Sequence, residues 1–286
     1  MTFARRVGAI PTRPFSLDLT FRRSAAFACA GILAALNAQA DQIITALTWQ
    51  APLDALATLG GIAAVIWLAM FAAIRIGFED EQRGLCDKAS LVLSLVVLFS
   101  LLQVSYAAQA GLLLAGAFLF ATSSAGEPSR RVSLILLALT GPLIWGRLLL
   151  QLFGTQVLAL DAHIVGALIG TDVQGNVVSF ANINRKFLIG APCSSMHNMS
   201  LAVVLWTTAV ALFNLRVDRR YVGIGVAMVA LMFALNIVRL SAIGLFPGYF
   251  EWLHVGTGAD LFGWAGLIGA SLLAAWGVTN AARRQR

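Results

Sequence analysis

The stretch Ile189-Gly190-Ala191-Pro192-Cys193-Ser194-Ser195-Met196-His197-Asn198 turns from a polar, loop-like segment into an apolar run that continues to about Phe213. About 20 residues at 1.5 Å rise cover the ~30 Å hydrocarbon core of a bilayer, so this run reads as a membrane helix. Cys193 stands just where it begins. A helix start leaves backbone N–H groups unpaired and carries the positive end of the helix dipole, which favours the thiolate form of a thiol placed there. Cysteine is also a common small buried residue in helices, so the remainder of the chain decides between a nucleophile and a packing residue.

The 286 residues are 59% hydrophobic and 12% charged, with a mean hydropathy of +0.83. An ordinary soluble domain carries about twice that charged fraction, which excludes a soluble globule. The net charge of +7 does not point to nucleic acid, because the basic residues form short clusters between apolar runs, as membrane topology requires. The three histidines and three cysteines lack C-x-x-C or H-x-x-x-H spacing, so neither a metal nor another cofactor is expected.

Outward from the opening stretch, the expected fold is all-α: a polytopic integral membrane helical bundle of about eight transmembrane helices with one long extracytoplasmic loop, forming a single domain over residues 1–286. Residues 1–23 form a basic cytoplasmic N-terminus with Arg5, Arg6, Arg13, Arg22 and Arg23. A first apolar run, 25–36, leads to Ala38-Gln39-Ala40, a sequence compatible with a signal-peptide site, although the spans that follow favour an uncleaved helix. A second span is expected at 53–74, then a mixed-charge cytoplasmic loop at 75–88. Residues 89–125 are almost uncharged and too long for one crossing; Gln103, Tyr106 and Gln109 mark a polar centre, and a helical hairpin is expected. A fifth span covers 132–153, bent at Gly141-Pro142, with Arg147 near its outer end.

Residues 154–192 form the long outer loop. Val157, Leu158, Leu160, Ile164, Val165, Leu168 and Ile169 recur at helical spacing and predict an amphipathic helix on the membrane surface. Segments 177–180 and 186–189 predict a small hairpin. The remaining spans are expected at 195–213, 222–243 and 260–278. With this layout sixteen of the 20 Lys and Arg lie on the cytoplasmic side, Arg185 and Lys186 in the outer loop, and Arg147 and Arg239 within spans. Both termini are therefore expected inside.

The topology brings three reactive groups to one face: Cys193 at the outer start of the sixth span, Arg239 about 6 Å below the outer end of the seventh by helical rise, and His254 in the loop before the eighth. Cys29 and Cys86 fall at the other face, so Cys193 has no disulfide partner there, and an unpaired thiol on the oxidising side is unusual unless used. An intramembrane arginine is by default a functional candidate, although pairing with Asp260 or Glu251 would make Arg239 structural. His254 beside Trp252 is also compatible with an interfacial role. His197, four residues after Cys193 on one helix face, is a rival base; it is ranked second because it would aim into the bundle. Arg147 is either functional or snorkelling, and His163 reads as interfacial.

Three stretches, Pro192-Cys193-Ser194-Ser195, Asn236-Ile237-Val238-Arg239, and His254 followed by Gly258, resemble the exosortase/archaeosortase family of membrane cysteine transpeptidases. That resemblance, which extends to the eight-span layout, implies a catalytic Cys193, Arg239 and His254, with Asn236 and Ser194 in support. Ser195 departs from the pattern, since members usually carry glycine there. The implied partners are membrane lipid and exported proteins that end in a recognition motif, a hydrophobic helix and a basic tail, with no nucleic acid. The implied setting is a bacterial inner membrane with the active site on its extracytoplasmic face. Two other readings use the same residues: a transporter or channel subunit that binds an anionic solute through Arg147 and Arg239, and a scaffold for another membrane protein, in which Cys193 is incidental.

Overall fold

The computed structural model describes residues 22–49, 62–81, 85–102, 104–216 and 218–284. The expectations that concern Arg5, Arg6 and Arg13, the first part of the span at 53–74, and Gln103 lie outside these residues. The described chain is a helical bundle with one three-stranded sheet of very short strands. Its helices are α1 (Arg23–Asn37), α2 (Ala40–Trp49), α3 (Ala64–Gly77), α4 (Asp87–Leu101), α5 (Ser105–Thr122), α6 (Pro128–Thr140), α7 (Gly146–Ile169), α8 (Ser195–Leu212), α9 (Arg219–Leu245), α10 (Phe250–His254) and α11 (Thr257–Arg284).

Five of the described helical segments are long and apolar enough to cross a membrane, and a sixth is added if α1 and α2, bent by 58° at the break between them, form one crossing. The protein is a helical membrane bundle. α3 and α4, at 14 and 15 residues, are shorter than the ~20 residues of a full crossing, and this is where the described helices depart from an eight-span count. Large apolar side chains stay exposed on the outside of the bundle. On α11, Leu261, Trp264, Ile268, Leu272 and Trp276 are all exposed and recur at three- and four-residue spacing, a continuous apolar stripe of the kind that suits lipid.

One end of the bundle gathers the basic residues. Arg131 donates to Glu79 at 2.9 Å and to the final carbonyls of α8, Ala211 at 2.6 Å and Leu212 at 3.2 Å, so a cation satisfies acceptors that the helix end leaves open. Beside it the buried carboxylate of Asp80 accepts from Ser24 and, at 3.1 Å, from Ser129. At the opposite end Asn37 donates to the carbonyls of Ser100 and Leu102, at 2.9 and 2.7 Å, closing α4 where the chain turns toward α5.

The bend expected at Gly141-Pro142 takes the form of a π turn over Gly141–Trp145. Proline cannot donate to the ladder, and the wider turn absorbs the missing bond. Beyond it α7 continues to Ile169 across a kink at Phe153, whose dihedrals are non-helical (φ −125°, ψ 18°), so that two helical stretches meet there end to end. The kink falls where the fifth span was expected to end, and the stretch beyond it holds the helix expected at 157–169. It buries Asp161, Ala162, Val165 and Gly166 against the protein. Gly170 ends it in the left-handed conformation (φ +69°), with its N–H on the Gly166 carbonyl, a cap that favours glycine.

The sheet follows: β1 (Val173–Gln174), β2 (Val177–Ser179) and β3 (Lys186–Leu188), antiparallel in that order, with Val178 opposite both Val173 and Phe187. The hairpin is fastened to the end of α9 by Ala181 N–H on the Gly244 carbonyl (3.1 Å) and Asn182 on the Leu245 carbonyl (3.2 Å). Beneath it Val178, Phe187, Ile189, Cys193, Ile237, Leu240, Ile243 and Leu253 form a second apolar core, separate from that of the main bundle.

Ile189 is completely buried in this core. Truncating such a side chain typically costs about 2–5 kcal/mol, so Ile189→Ala is expected to lower the melting temperature in detergent and to expose residues 176–190 to protease before the spans unfold. Unchanged proteolysis of this segment would contradict its role as the anchor of the loop.

Candidate active site

The 3₁₀ turn Ala191–Cys193 leads into α8, and its backbone is held on every side. Asn176 and Ile189 exchange two bonds, Ile189 N–H to the Asn176 carbonyl (2.9 Å) and Asn176 Nδ2 to the Ile189 carbonyl (3.0 Å). Cys193 N–H donates to the Gly190 carbonyl at 2.9 Å, and its own carbonyl accepts Asn236 Nδ2 at 2.9 Å. Ser194 is the N-cap of α8, its hydroxyl accepting the Met196 N–H at 3.3 Å, the usual function of serine at this position.

Cys193 is 8% exposed, and its Sγ lies 3.2 Å from His254 Nε2. His254 is the last residue of α10, half-buried, with its ring stacked on Phe250 at 5.1 Å between centroids. Phe250 meets Phe180 edge-on, and Phe180 packs on Phe187, so an aromatic cluster from the hairpin supports the imidazole. Gly258 sits under the Trp252 ring, where a Cβ would come within 2.5 Å of it; the glycine lets α11 start close against α10.

Arg239 joins the same network at one remove. Its Nη2 donates to Asn236 Oδ1 at 3.2 Å, so Asn236 links the guanidinium to the Cys193 carbonyl. The Nε of Arg239 is buried without a partner, and among the described residues the side chain forms no ion pair with Asp260 or Glu251. α9 continues to Leu245, which sets Arg239 about 9 Å below the helix end by rise, a little deeper than expected.

His197 does not hydrogen-bond Cys193. It lines a cavity of about 650 Å³ walled by α8, α9, α11 and residues 62–65, together with the polar Asn198, Asn236, Arg239 and Asp260 and apolar residues such as Leu201, Met232 and Phe262. Arg147 is exposed on α7, within electrostatic range of His197. His163 is exposed on the same helix. Cys29 and Cys86 are both free and distant in the chain from Cys193.

No family model, no curated protein and no solved structure matches the chain. The site therefore speaks through its own geometry.

Sequence reasoning missed Asp161. Its carboxylate is 1% exposed and accepts the Ser195 N–H at 3.2 Å and the Ser195 hydroxyl at 2.8 Å. The signal was present: Asp161 falls on the apolar face of its helix, between Leu158 and Val165 at helical spacing, where a charge is out of place.

With Sγ 3.2 Å from the imidazole, the thiol has a base within reach of its proton, the arrangement by which a cysteine nucleophile is activated. With Cys29 and Cys86 replaced by serine, His254→Ala is expected to slow alkylation of Cys193 by iodoacetamide at pH 7 roughly tenfold. An unchanged rate would mean that the 3.2 Å contact does not activate the thiol.

Proposed function

We propose that the protein is a membrane cysteine peptidase or transpeptidase of the exosortase type, and that Cys193 is its nucleophile. The observation that carries this reading is the 3.2 Å approach of Cys193 Sγ to His254 Nε2, made by residues 61 positions apart and beside an arginine with a buried, unpartnered donor. In the full layout the bundle crosses the bacterial inner membrane eight times, both termini are cytoplasmic, and the site opens to the extracytoplasmic face. The substrates are exported proteins with a C-terminal hydrophobic sorting tail.

In the reaction His254 takes the Cys193 proton as sulfur attacks the peptide carbonyl carbon. Negative charge develops on the carbonyl oxygen, and Arg239 offers its free N–H donor to it in a site shielded from bulk water, where such a contact counts for more than in water. The C–N bond breaks, His254 returns the proton to the leaving amine, and the acyl group stays on sulfur as a thioester. An incoming nucleophile then gives its proton to His254, attacks the thioester and releases the thiolate.

A second reading has one observation in its favour. Arg239 and His197 line the cavity, although Asp260 lines it too, and the two basic groups suit a transporter or channel subunit that holds an anionic solute.

The two readings separate in one experiment. A protein with a sorting tail is co-expressed with wild type or with Cys193→Ala, Arg239→Ala, His254→Ala or His197→Ala, and tail loss is followed by gel mobility. Cys193→Ala is expected to abolish tail removal, Arg239→Ala to reduce it about 10²–10³-fold, as removal of one oxyanion donor does, and His254→Ala to reduce it severely. His197→Ala stays near wild type. Tail removal that survives Cys193→Ala would refute the nucleophile and leave the transporter reading.

A further inference from the structure

We infer that Asp161 is a positioning residue for Cys193, acting through Ser195: its buried carboxylate locks the first residue of α8 so that the thiol two positions earlier is held against His254. A carboxylate 1% exposed, with no ion pair among the described residues, is retained only where strong donors replace water. Here the donors are the Ser195 N–H and hydroxyl, at 3.2 and 2.8 Å, at the positive end of an 18-residue helix. Bonds to an ionised acceptor are the stronger class.

The location determines what the lock does. Asn236 fixes the Cys193 carbonyl at 2.9 Å, and the 3₁₀ turn fixes its N–H at 2.9 Å. Asp161 fixes the chain immediately after it. With the backbone held on both sides, the thiol keeps a single side-chain torsion, and the 3.2 Å contact to His254 is set by one rotamer. Two of the three anchors come from α7 and α9 and the third from the 3₁₀ turn itself, so the geometry at sulfur does not depend on the outer loop alone. Ser195 supplies both donors to the lock, which gives a physical use to the residue at which this chain departs from the glycine of the resembling family. The Asp161 side chain does not line the cavity beside Arg239, so its effect should be on turnover and not on substrate binding.

The inference rests on the proposed function only for its turnover readout; thiol reactivity needs no substrate. In the variant with Cys193 as sole cysteine, iodoacetamide alkylation at pH 7 is measured for Asp161→Asn, Ser195→Ala and each combined with His254→Ala. Asp161→Asn is expected to slow alkylation about tenfold, matching His254→Ala, and Ser195→Ala about threefold, because the backbone donor remains. Adding His254→Ala to Asp161→Asn should cost less than a further twofold, as expected when both act through one contact. In tail removal kcat falls by similar factors with KM unchanged. Wild-type alkylation rates in both single variants would overturn the inference, as would full additivity with His254→Ala or a loss seen only in KM. An absence of tail removal by wild type would instead refute the proposed function and leave the alkylation result standing.

Discussion

The arrangement at the site end of the bundle depends on one contact, Cys193 Sγ to His254 Nε2. Neither residue lies within a long helix: one closes a 3₁₀ turn before α8, the other ends the five-residue helix α10. Short elements of this kind have little stability of their own. They are held by what surrounds them: the small sheet fastened to the end of α9, the aromatic stack under His254, and the ring of hydrogen bonds around Cys193. A second apolar core, built from Val178, Ile189, Leu240 and Ile243 among others, exists to hold that end of the molecule rigid.

The opposite end follows a different logic. There Arg131, Asp80 and the serines around it tie helix ends to each other with charges and hydroxyls. In a membrane the backbone of a loop must be satisfied internally wherever water is scarce. At the basic end side chains do this for short turns; at the site end a longer segment, residues 170–194, satisfies itself by forming a sheet and a turn.

Much of this was legible in the sequence, for physical reasons. Apolar runs bounded by arginines identify membrane helices because a charge in hydrocarbon is so costly, and the helices at 105–122, 195–212, 219–245 and 257–284 lie where those runs predict. The hairpin at 177–189 could be read from two short segments flanking a polar turn, although the strand at Val173–Gln174 that pairs with it could not. The junction at Pro192-Cys193-Ser194-Ser195 pointed to a thiol before a helix start, and the structure has one there. What periodicity misjudged was the surroundings of the helix after Phe153. The kink at Phe153 falls where the span was expected to end, and the helix beyond it buries Asp161, Ala162, Val165 and Gly166 against protein. Asp161 was hidden for a related reason. A lone carboxylate in an amphipathic stretch reads as solvated until its partner is known, and Ser195 is 34 positions away. His254 was preferred to His197 on the sequence, because a histidine within α8 would aim into the bundle; the structure adds the distance, with His254 Nε2 3.2 Å from sulfur and His197 lining the cavity.

The central claim is that Cys193 forms a covalent acyl intermediate, and the most direct test is to trap it. Purified protein is mixed with a tailed substrate, quenched in acid and examined by intact-mass and peptide mass spectrometry. The account predicts an acyl adduct on the peptide that contains Cys193, released by neutral hydroxylamine as a thioester is. Tail removal with no adduct at Cys193, or with an adduct on another residue, would contradict it.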